Sequence, residues 1–321
     1  MKPKITILTV GYGDGCLLGK ETADALTGAR QLVLRTEKNG ISAWLKARSV
    51  PYTSLDSLYE SAEDFDSLCR SIASFLWTKA DDGPVTYAVT DVLTDGSVSA
   101  LFRSRPENGE VEILPGTGLM DLCLPALRSA VPEADLRMVS AERFLRTRFD
   151  PDGSLLVVEM DNALLAGEIK LRLSERLPDD FDLLFMRDES SAKRIPLYEL
   201  DRQPAYDHRT ALFVPSCPPE KRGGFTRDDL PYALRLFRQQ SPCKQGTPHA
   251  ALKPTLLETA ERCTSAIEAN DSKALMESLG DLLFQCMLHA ETAENFDEFT
   301  QNEMVDSLIR RIRPENRRST P

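Results

Sequence analysis

Two acidic residues, Glu258 and Asp281, have the spacing to act together. Residues 252–290 read as two helices joined by a short polar turn. Leu252, Leu256, Ala260, Cys263 and Ile267 recur at three- and four-residue steps, as do Leu275, Leu279, Leu282 and Cys286. Asn270-Asp271 breaks the pattern, and Asp271 suits the N-cap of the second helix. Glu258 lies 12 residues before Asn270, and Asp281 lies 10 after Asp271. In an antiparallel hairpin those depths differ by about two residues, roughly 3 Å at the helical rise. The spacing therefore predicts Glu258 and Asp281 at one level, with Glu261 and Glu277 close by. Carboxylates converging between helices suit Mg²⁺, a hard cation that takes oxygen ligands and shares them with phosphates. The same four acids also fit the wet face of two surface helices, and spacing alone leaves both readings open.

The elements that position these residues fall into two groups. Residues 1–216 alternate strand and helix: strands at 5–10, 31–35, 86–89 and 111–114, with helices at 21–28, 41–47, 64–80 and 97–102. That order predicts an α/β domain with a mainly parallel sheet covered by helices on both faces. Later strands at 154–160, 181–186 and 210–215 make the second half mixed. Residues 217–226 are rich in proline, charge and glycine, and read as a linker. Residues 227–321 read as an all-helical domain, with a fourth helix at 303–311 and a basic tail ending near Arg317-Arg318.

Three loops in the α/β part could hold a ligand. Gly11-Tyr12-Gly13-Asp14-Gly15 follows the first strand, where glycines let backbone amides approach a ligand or simply make a tight turn. Residues 90–96 follow the 86–89 strand, and Pro115-Gly116-Thr117-Gly118 follows the 111–114 strand. All three are expected at the C-terminal ends of parallel strands, the usual ligand crevice of open α/β sheets.

The helical hairpin resembles the MazG family of nucleoside triphosphate pyrophosphohydrolases. The matching text is Leu252-Lys253-Pro254, Leu256-Leu257-Glu258 and Leu279-Gly280-Asp281-Leu282-Leu283, followed by His289-Ala290. Glu258 and Asp281 stand where that family has the first Glu and the Asp of its metal site. Thr259, Arg262 and Ser278 stand at its other three acidic positions, and Glu261 and Glu277 lie one position away. The resemblance implies hydrolysis of a nucleoside triphosphate to monophosphate and pyrophosphate, with Mg²⁺ on Glu258 and Asp281; Glu261 and Glu277 are metal candidates by spacing alone. It also implies a homodimer built through these helices. Arg262 has a structural alternative, an ion pair with Glu258 one turn away. His249 and His289 read as supporting residues rather than ligands.

Residues 4–216 resemble the tetrapyrrole methylases, which bind S-adenosylmethionine. The matching stretches are Gly11-Tyr12-Gly13-Asp14-Gly15 before an apolar pair, Pro115-Gly116, and the long segment Ile195-Pro196-Leu197-Tyr198-Glu199-Leu200-Asp201-Arg202. This implies cofactor contacts at Gly11, Gly13, Gly15, Pro115 and Gly116, and a methyltransferase-like activity. Asp14 and Thr90-Asp91-Val92-Leu93 depart from the family's loops, so the motifs are degenerate in both halves. A non-catalytic dimer that senses a ligand or serves as a scaffold is the competing expectation.

Composition narrows the class. The hydrophobic fraction of 41% and charged fraction of 28% are those of a globular protein. No apolar run is long enough to span a membrane, and the N-terminus reads as a strand rather than a signal peptide. Seven scattered cysteines without a Cys-x-x-Cys pair fit reduced thiols, so a cytoplasmic location is expected. A net charge of −11 argues against nucleic acid as a partner, because phosphate neutralisation drives that binding. Three isolated histidines support no Ser/His/Asp or Cys/His arrangement.

Overall fold

The computed structural model describes residues 2–12, 15, 17–62, 64–127, 135–188, 191–240 and 247–313. Two compact units divide the chain between Gly224 and Phe225, inside the predicted linker. Part of that segment is tied to the first unit. Cys217 and Arg222 are buried, Arg222 Nε donates to the Cys217 carbonyl, and the Gly223 amide donates to the Arg176 carbonyl. Gly224 lies so close to the Glu175 carbonyl that a side chain there would collide with it. The glycine pair therefore serves a backbone crossing, which composition alone could not distinguish from a tether.

The first unit begins with β1 (Lys4–Thr9), α1 (Lys20–Thr27), β2 (Gln31–Leu34), α2 (Ile41–Ala47), β3 (Thr53–Ser54) and α3 (Asp56–Ser61). It continues with α4 (Phe65–Asp82), β4 (Val85–Val89), α5 (Gly96–Arg103) and β5 (Glu110–Leu114). These strands form one sheet in the order β3-β2-β4-β1-β5, with every pairing parallel. Alternate side chains point to opposite faces. Ile5, Ile7 and Tyr87 pack with Leu68, Ile72 and Leu76 of α4, whereas Leu8, Leu32 and Leu34 pack with Leu26, Ile41 and Leu45 on the other side. A reciprocal Asp64–Ser67 capping box starts α4, satisfying amides the helix cannot bond internally. Because β1 lies between β4 and β5, the three loops singled out in the sequence open at one edge of the sheet.

A second sheet follows. Its elements are α6 (Leu119–Leu127), β6 (Leu136–Ser140), α7 (Ala141–Leu145), β7 (Ser154–Val158), α8 (Ala163–Ser174), β8 (Asp182–Asp188), β9 (Ser191–Pro196) and β10 (Ala211–Val214). The order is β6-β7-β10-β8-β9; only β6 and β7 are parallel. The strand predicted over 154–160 stops at Val158 because Glu159 turns into the left-handed region at φ 61°.

The second unit is helical: α9 (Leu230–Gln240), α10 (His249–Glu268), α11 (Ser272–Asn295) and α12 (Gln301–Ile312). Asp271 caps α11, accepting from the Lys273 and Ala274 amides at 3.0 Å each. Small residues occupy the seam between α10 and α11: Thr259, Cys263, Ala266 and Ser278 are all buried. Ile267 and Leu279, predicted on the packed stripe, are 58% and 49% exposed. A hairpin with a seam of small residues holds its helices close, and the large apolar side chains are left on outer faces. The apolar core is correspondingly small, built on Leu234, Leu252, Leu288 and Phe284. None of α12 is buried.

Candidate functional site

A polar groove lies beside three of the four hairpin acids, and Asp281 is not among the residues lining it. Glu258, Glu261, Arg262, Asp271, Glu277 and Ser278 line an open depression of about 550 Å³. Asp281 reaches it through Arg262, whose Nη2 donates to Asp281 Oδ2 at 3.0 Å and to Thr259 Oγ1 at 3.3 Å. The expected Arg262–Glu258 pair is therefore replaced by one across the seam. Asp281 sits at the depth of the Thr259–Arg262 turn, so a long guanidinium arm spans the gap as readily as it follows its own helix. Both side chains of this pair are more than half exposed, and such pairs stabilise by at most about 1 kcal/mol.

This donor set does not fit a bound Mg²⁺. The guanidinium already takes the Asp281 oxygen and sets a fixed positive charge beside the acids a metal would need. Thr259 and Ser278 supply hydroxyls that are buried in the seam. Among the described residues no group of three or more His, Cys, Asp or Glu could hold a metal ion.

The α/β loops also bond to themselves. The Gly11 amide donates to the Thr90 carbonyl at 3.0 Å, and Gly11 has φ 60°, which glycine adopts without strain. Gly13 lies outside the described residues. Gly15, at φ 91°, packs flat on the Trp44 indole, in space a Cβ would need. The Pro115 carbonyl accepts from Thr22 Oγ1 at 3.0 Å, and Gly116 abuts the Thr9 carbonyl. Asp91 accepts the Leu93 and Leu119 amides at 2.8 and 2.7 Å, and Asp121 accepts the Gly118 amide at 3.0 Å. The amides of Gly11, Leu93, Gly118 and Leu119 are thus taken by this chain's own oxygens. They do not fit the grip on a ligand carboxylate that S-adenosylmethionine would require.

Polar residues to which the sequence reading gave no role of their own flank these loops. Arg35 and Asp95 form a buried pair, Nε to Oδ2 at 2.8 Å, and the guanidinium lies 4.3 Å over the Tyr59 ring. Glu159 titrates at about 7, raised first by burial and then by Asp95. Tyr12 is buried with its ring edge against His208 at 5.4 Å. One signal pointed to them: Arg35, Asp91 and Glu159 are charged residues placed directly or almost directly after buried strands.

Residues 247–317 match the family model of the MazG nucleotide pyrophosphohydrolase domain. The chain is similar along 97% of its length to the uncharacterized protein YabN of Bacillus subtilis, at 27% identity. It spans 65% of that protein's length. A nucleoside triphosphate pyrophosphohydrolase of Mycobacterium tuberculosis is 31% identical over 99 residues, 30% of each chain. In outline, 67% of the chain is similar to two solved structures. One is a uroporphyrin-III-C-methyltransferase of Thermus thermophilus (16% identity, 94% of that chain, TM-score 0.46). The other is the precorrin-6Y methylase of Archaeoglobus fulgidus (14% identity, 99% of that chain, TM-score 0.47). Among the described residues, no helix is long and apolar enough to cross a membrane.

Within the MazG match, His249 of α10 and His289 of α11 meet Nδ1 to Nδ1 at 2.8 Å, and His249 Nε2 lies 3.2 Å from Glu298 Oε2. One proton fits between the two Nδ1 atoms; a second would set two N–H groups face to face. Burial and the neighbouring His249 hold His289 below its ordinary 6.5. A histidine whose folded pKa is depressed is protonated first in the unfolded chain, so stability falls as pH drops through 6.5. Thermal unfolding from pH 8 to 5 is expected to show that decline, with His289→Gln flattening it by about 1 kcal/mol, the scale of one hydrogen bond. An unchanged slope in the variant would remove the pair as its cause.

Proposed function

We propose that the chain is a non-hydrolytic MazG-type protein, in which a ligand-binding α/β unit is joined to a helical unit that self-associates. The observation that carries this reading is the 3.0 Å contact of Arg262 with Asp281. A guanidinium stands among the acids that would otherwise hold and orient a phosphate-bound metal, which weakens the grip they would have on it. The assembly is supported by apolar surface that one chain leaves open. Met276, Leu279 and Leu283 on α11, and Val305, Leu308, Ile309 and Ile312 on α12, are each at least 45% exposed. A second copy of the same helices offers the matching surface, as in an isologous dimer.

A second reading is hydrolysis of a nucleoside triphosphate to monophosphate and pyrophosphate. The family match and the groove shared by Glu258, Glu261 and Glu277 favour it. Pyrophosphate release from ATP, GTP, CTP and UTP, with and without 5 mM MgCl₂ (about the working range of such assays), separates the two. The expected result is no release above background, unchanged by Glu258→Ala or Asp281→Ala. Release that both substitutions abolish would overturn the proposal and establish the hydrolase. Light scattering on the same preparation should give the mass of a dimer, and Leu308→Glu should shift it towards monomer.

A further inference from the structure

We propose that His249 and His289 form a proton-operated clasp: one shared proton holds the first turn of α10 and the turn before α12 against α11, and a further proton releases them. The rings meet head to head. Their planes are 2° from parallel and their centres 5.1 Å apart, near the widest separation that a 2.8 Å contact between Nδ1 atoms allows. The two nitrogens therefore point at each other in one plane. The far side of His249 decides which ring donates. Glu298 Oε2, a carboxylate oxygen 3.2 Å from His249 Nε2, can only accept, so His249 carries its proton on Nε2. A neutral His249 then accepts at Nδ1, and His289 donates from its own Nδ1. That leaves His289 Nε2 as a bare lone pair, and this atom is buried without a hydrogen-bond partner. The bonds run one way, from His289 through His249 to Glu298.

A further proton has two places to go, and both are costly. On His249 Nδ1 it would meet the His289 N–H across 2.8 Å; on His289 Nε2 it would make a buried N–H with nothing to accept it. Gln285 Oε1, one turn earlier on α11, is buried and equally unbonded, so it lies beyond hydrogen-bond reach of Nε2. Opening the clasp removes both obstacles, and acid therefore favours the open form. The charged groups nearby are engaged elsewhere or exposed. Arg238 of α9 donates to Glu291 of α11 at 2.9 Å, Glu294 of α11 accepts the Gln301 amide at 2.7 Å, and Lys253 is exposed one turn along α10. The segments that the clasp holds have few other ties. Helix α10 starts after Pro248 with no side-chain cap, and it meets α11 there through Leu252 against Leu288 and a 3.4 Å bond from Thr292 Oγ1 to the Thr247 carbonyl. Helix α12 has no buried residue. Acid thus acts locally, on these two segments, before it unfolds the unit. The inference stands whether or not the helical unit self-associates or hydrolyses anything.

The test is amide hydrogen exchange on the full chain at pH 8 and 5.5, corrected for the intrinsic pH dependence of exchange, with wild type and His289→Asn compared. A histidine blocked from a proton in the closed form, and free to take one near 6.5 once open, should raise the opening of residues 249–253 and 296–301 at least about tenfold between those pH values. Residues 68–80 of α4 serve as the control and should not respond. Asparagine places an amide where His289 has Nδ1, and by flipping it can donate to His249 or accept from it. The bond then survives either protonation state, so the rise in the variant should stay within about twofold. Nitrogen-15 spectra of the wild type at pH 8 should show the Nε2–H tautomer on one ring of the pair and the Nδ1–H tautomer on the other, with three histidines in the chain to assign. The same tautomer on both rings would overturn the clasp. So would wild-type opening that is equal at both pH values, that rises as much in α4, or that rises as much in a His289→Asn protein shown to be folded by circular dichroism.

Discussion

Replacing Arg262 with glutamate is expected to make the helical unit respond to Mg²⁺, with the thermal midpoint rising by several degrees in 10 mM MgCl₂ (about ten times a weak site's Kd) while the wild-type chain stays unmoved. In the wild type the guanidinium occupies Asp281 at 3.0 Å and lies along the groove beside Glu258. The substitution removes that charge and adds a carboxylate one turn from Glu258, on the side facing Asp281. Three oxygens then converge where two and a cation stood, which is the beginning of a hard-cation site. A cation bound with a Kd near 1 mM contributes about 1.4 kcal/mol at 10 mM, enough to move a small unit by roughly 5 °C. Without the metal the variant should be less stable than wild type by about 1 kcal/mol, from the lost surface pair and the new like-charge contact. Unfolding of both proteins in MgCl₂ and in KCl of equal ionic strength separates binding from screening. If the wild type shifts as much as the variant, Arg262 is not standing in for a metal.

The same residues show what the sequence could and could not reveal. The hairpin was legible because Asp271 caps one helix and the apolar steps mark both; helical rise alone set the expectation that Glu258 and Asp281 share a level. Which acid Arg262 would choose did not follow, since Glu258 and Asp281 lie within reach of one flexible arm and only the packed seam decides. The seam itself was hidden. Thr259 and Ser278 read only as replacements at metal-site positions, yet they are buried because helices joined by Asn270 at φ 51° pack closely where side chains are small. Ile267 and Leu279 read as core for the opposite reason: a hairpin has two apolar stripes, and a single chain covers only part of them.

In the α/β unit the central strands were legible because buried parallel strands are continuous apolar runs. The edge strands β3, β6 and β9 were not. Thr53-Ser54, Leu136-Arg137-Met138-Val139-Ser140 and the charged Ala192-Lys193-Arg194 stretch lack such runs, as the charge and brevity that protect a sheet edge also hide it in the sequence. The loop glycines carried a real signal with a different cause. Gly15 exists for Trp44 and Gly116 for the Thr9 carbonyl, contacts between residues far apart in the chain. Asp91 then closes the loops on themselves, taking the Leu93 and Leu119 amides that a glycine pattern would offer to an anion.

The buried acid beside these loops carries a measurable cost. Glu159→Gln is expected to stabilise the α/β unit by about 3 kcal/mol at pH 8.5 and by only about 1 kcal/mol at pH 5. Burial, Asp95 and Asp91 raise the Glu159 carboxyl from 4.5 to about 7, with Arg35 opposing them. The folded chain therefore keeps a proton that the unfolded chain releases once pH exceeds 4.5. Stability from this group is greatest below 4.5, declines as pH rises, and has reached its full loss above about 7. Glutamine has nearly the same shape and no charge to desolvate, so it escapes the decline while keeping the left-handed backbone. Urea unfolding can be followed through Trp44 and Trp77, the chain's two tryptophans, which both belong to the α/β unit. A difference between variant and wild type that grows from pH 5 to pH 8.5 identifies Glu159 as the titrating group. A difference that stays constant across that range would place its titration outside the window.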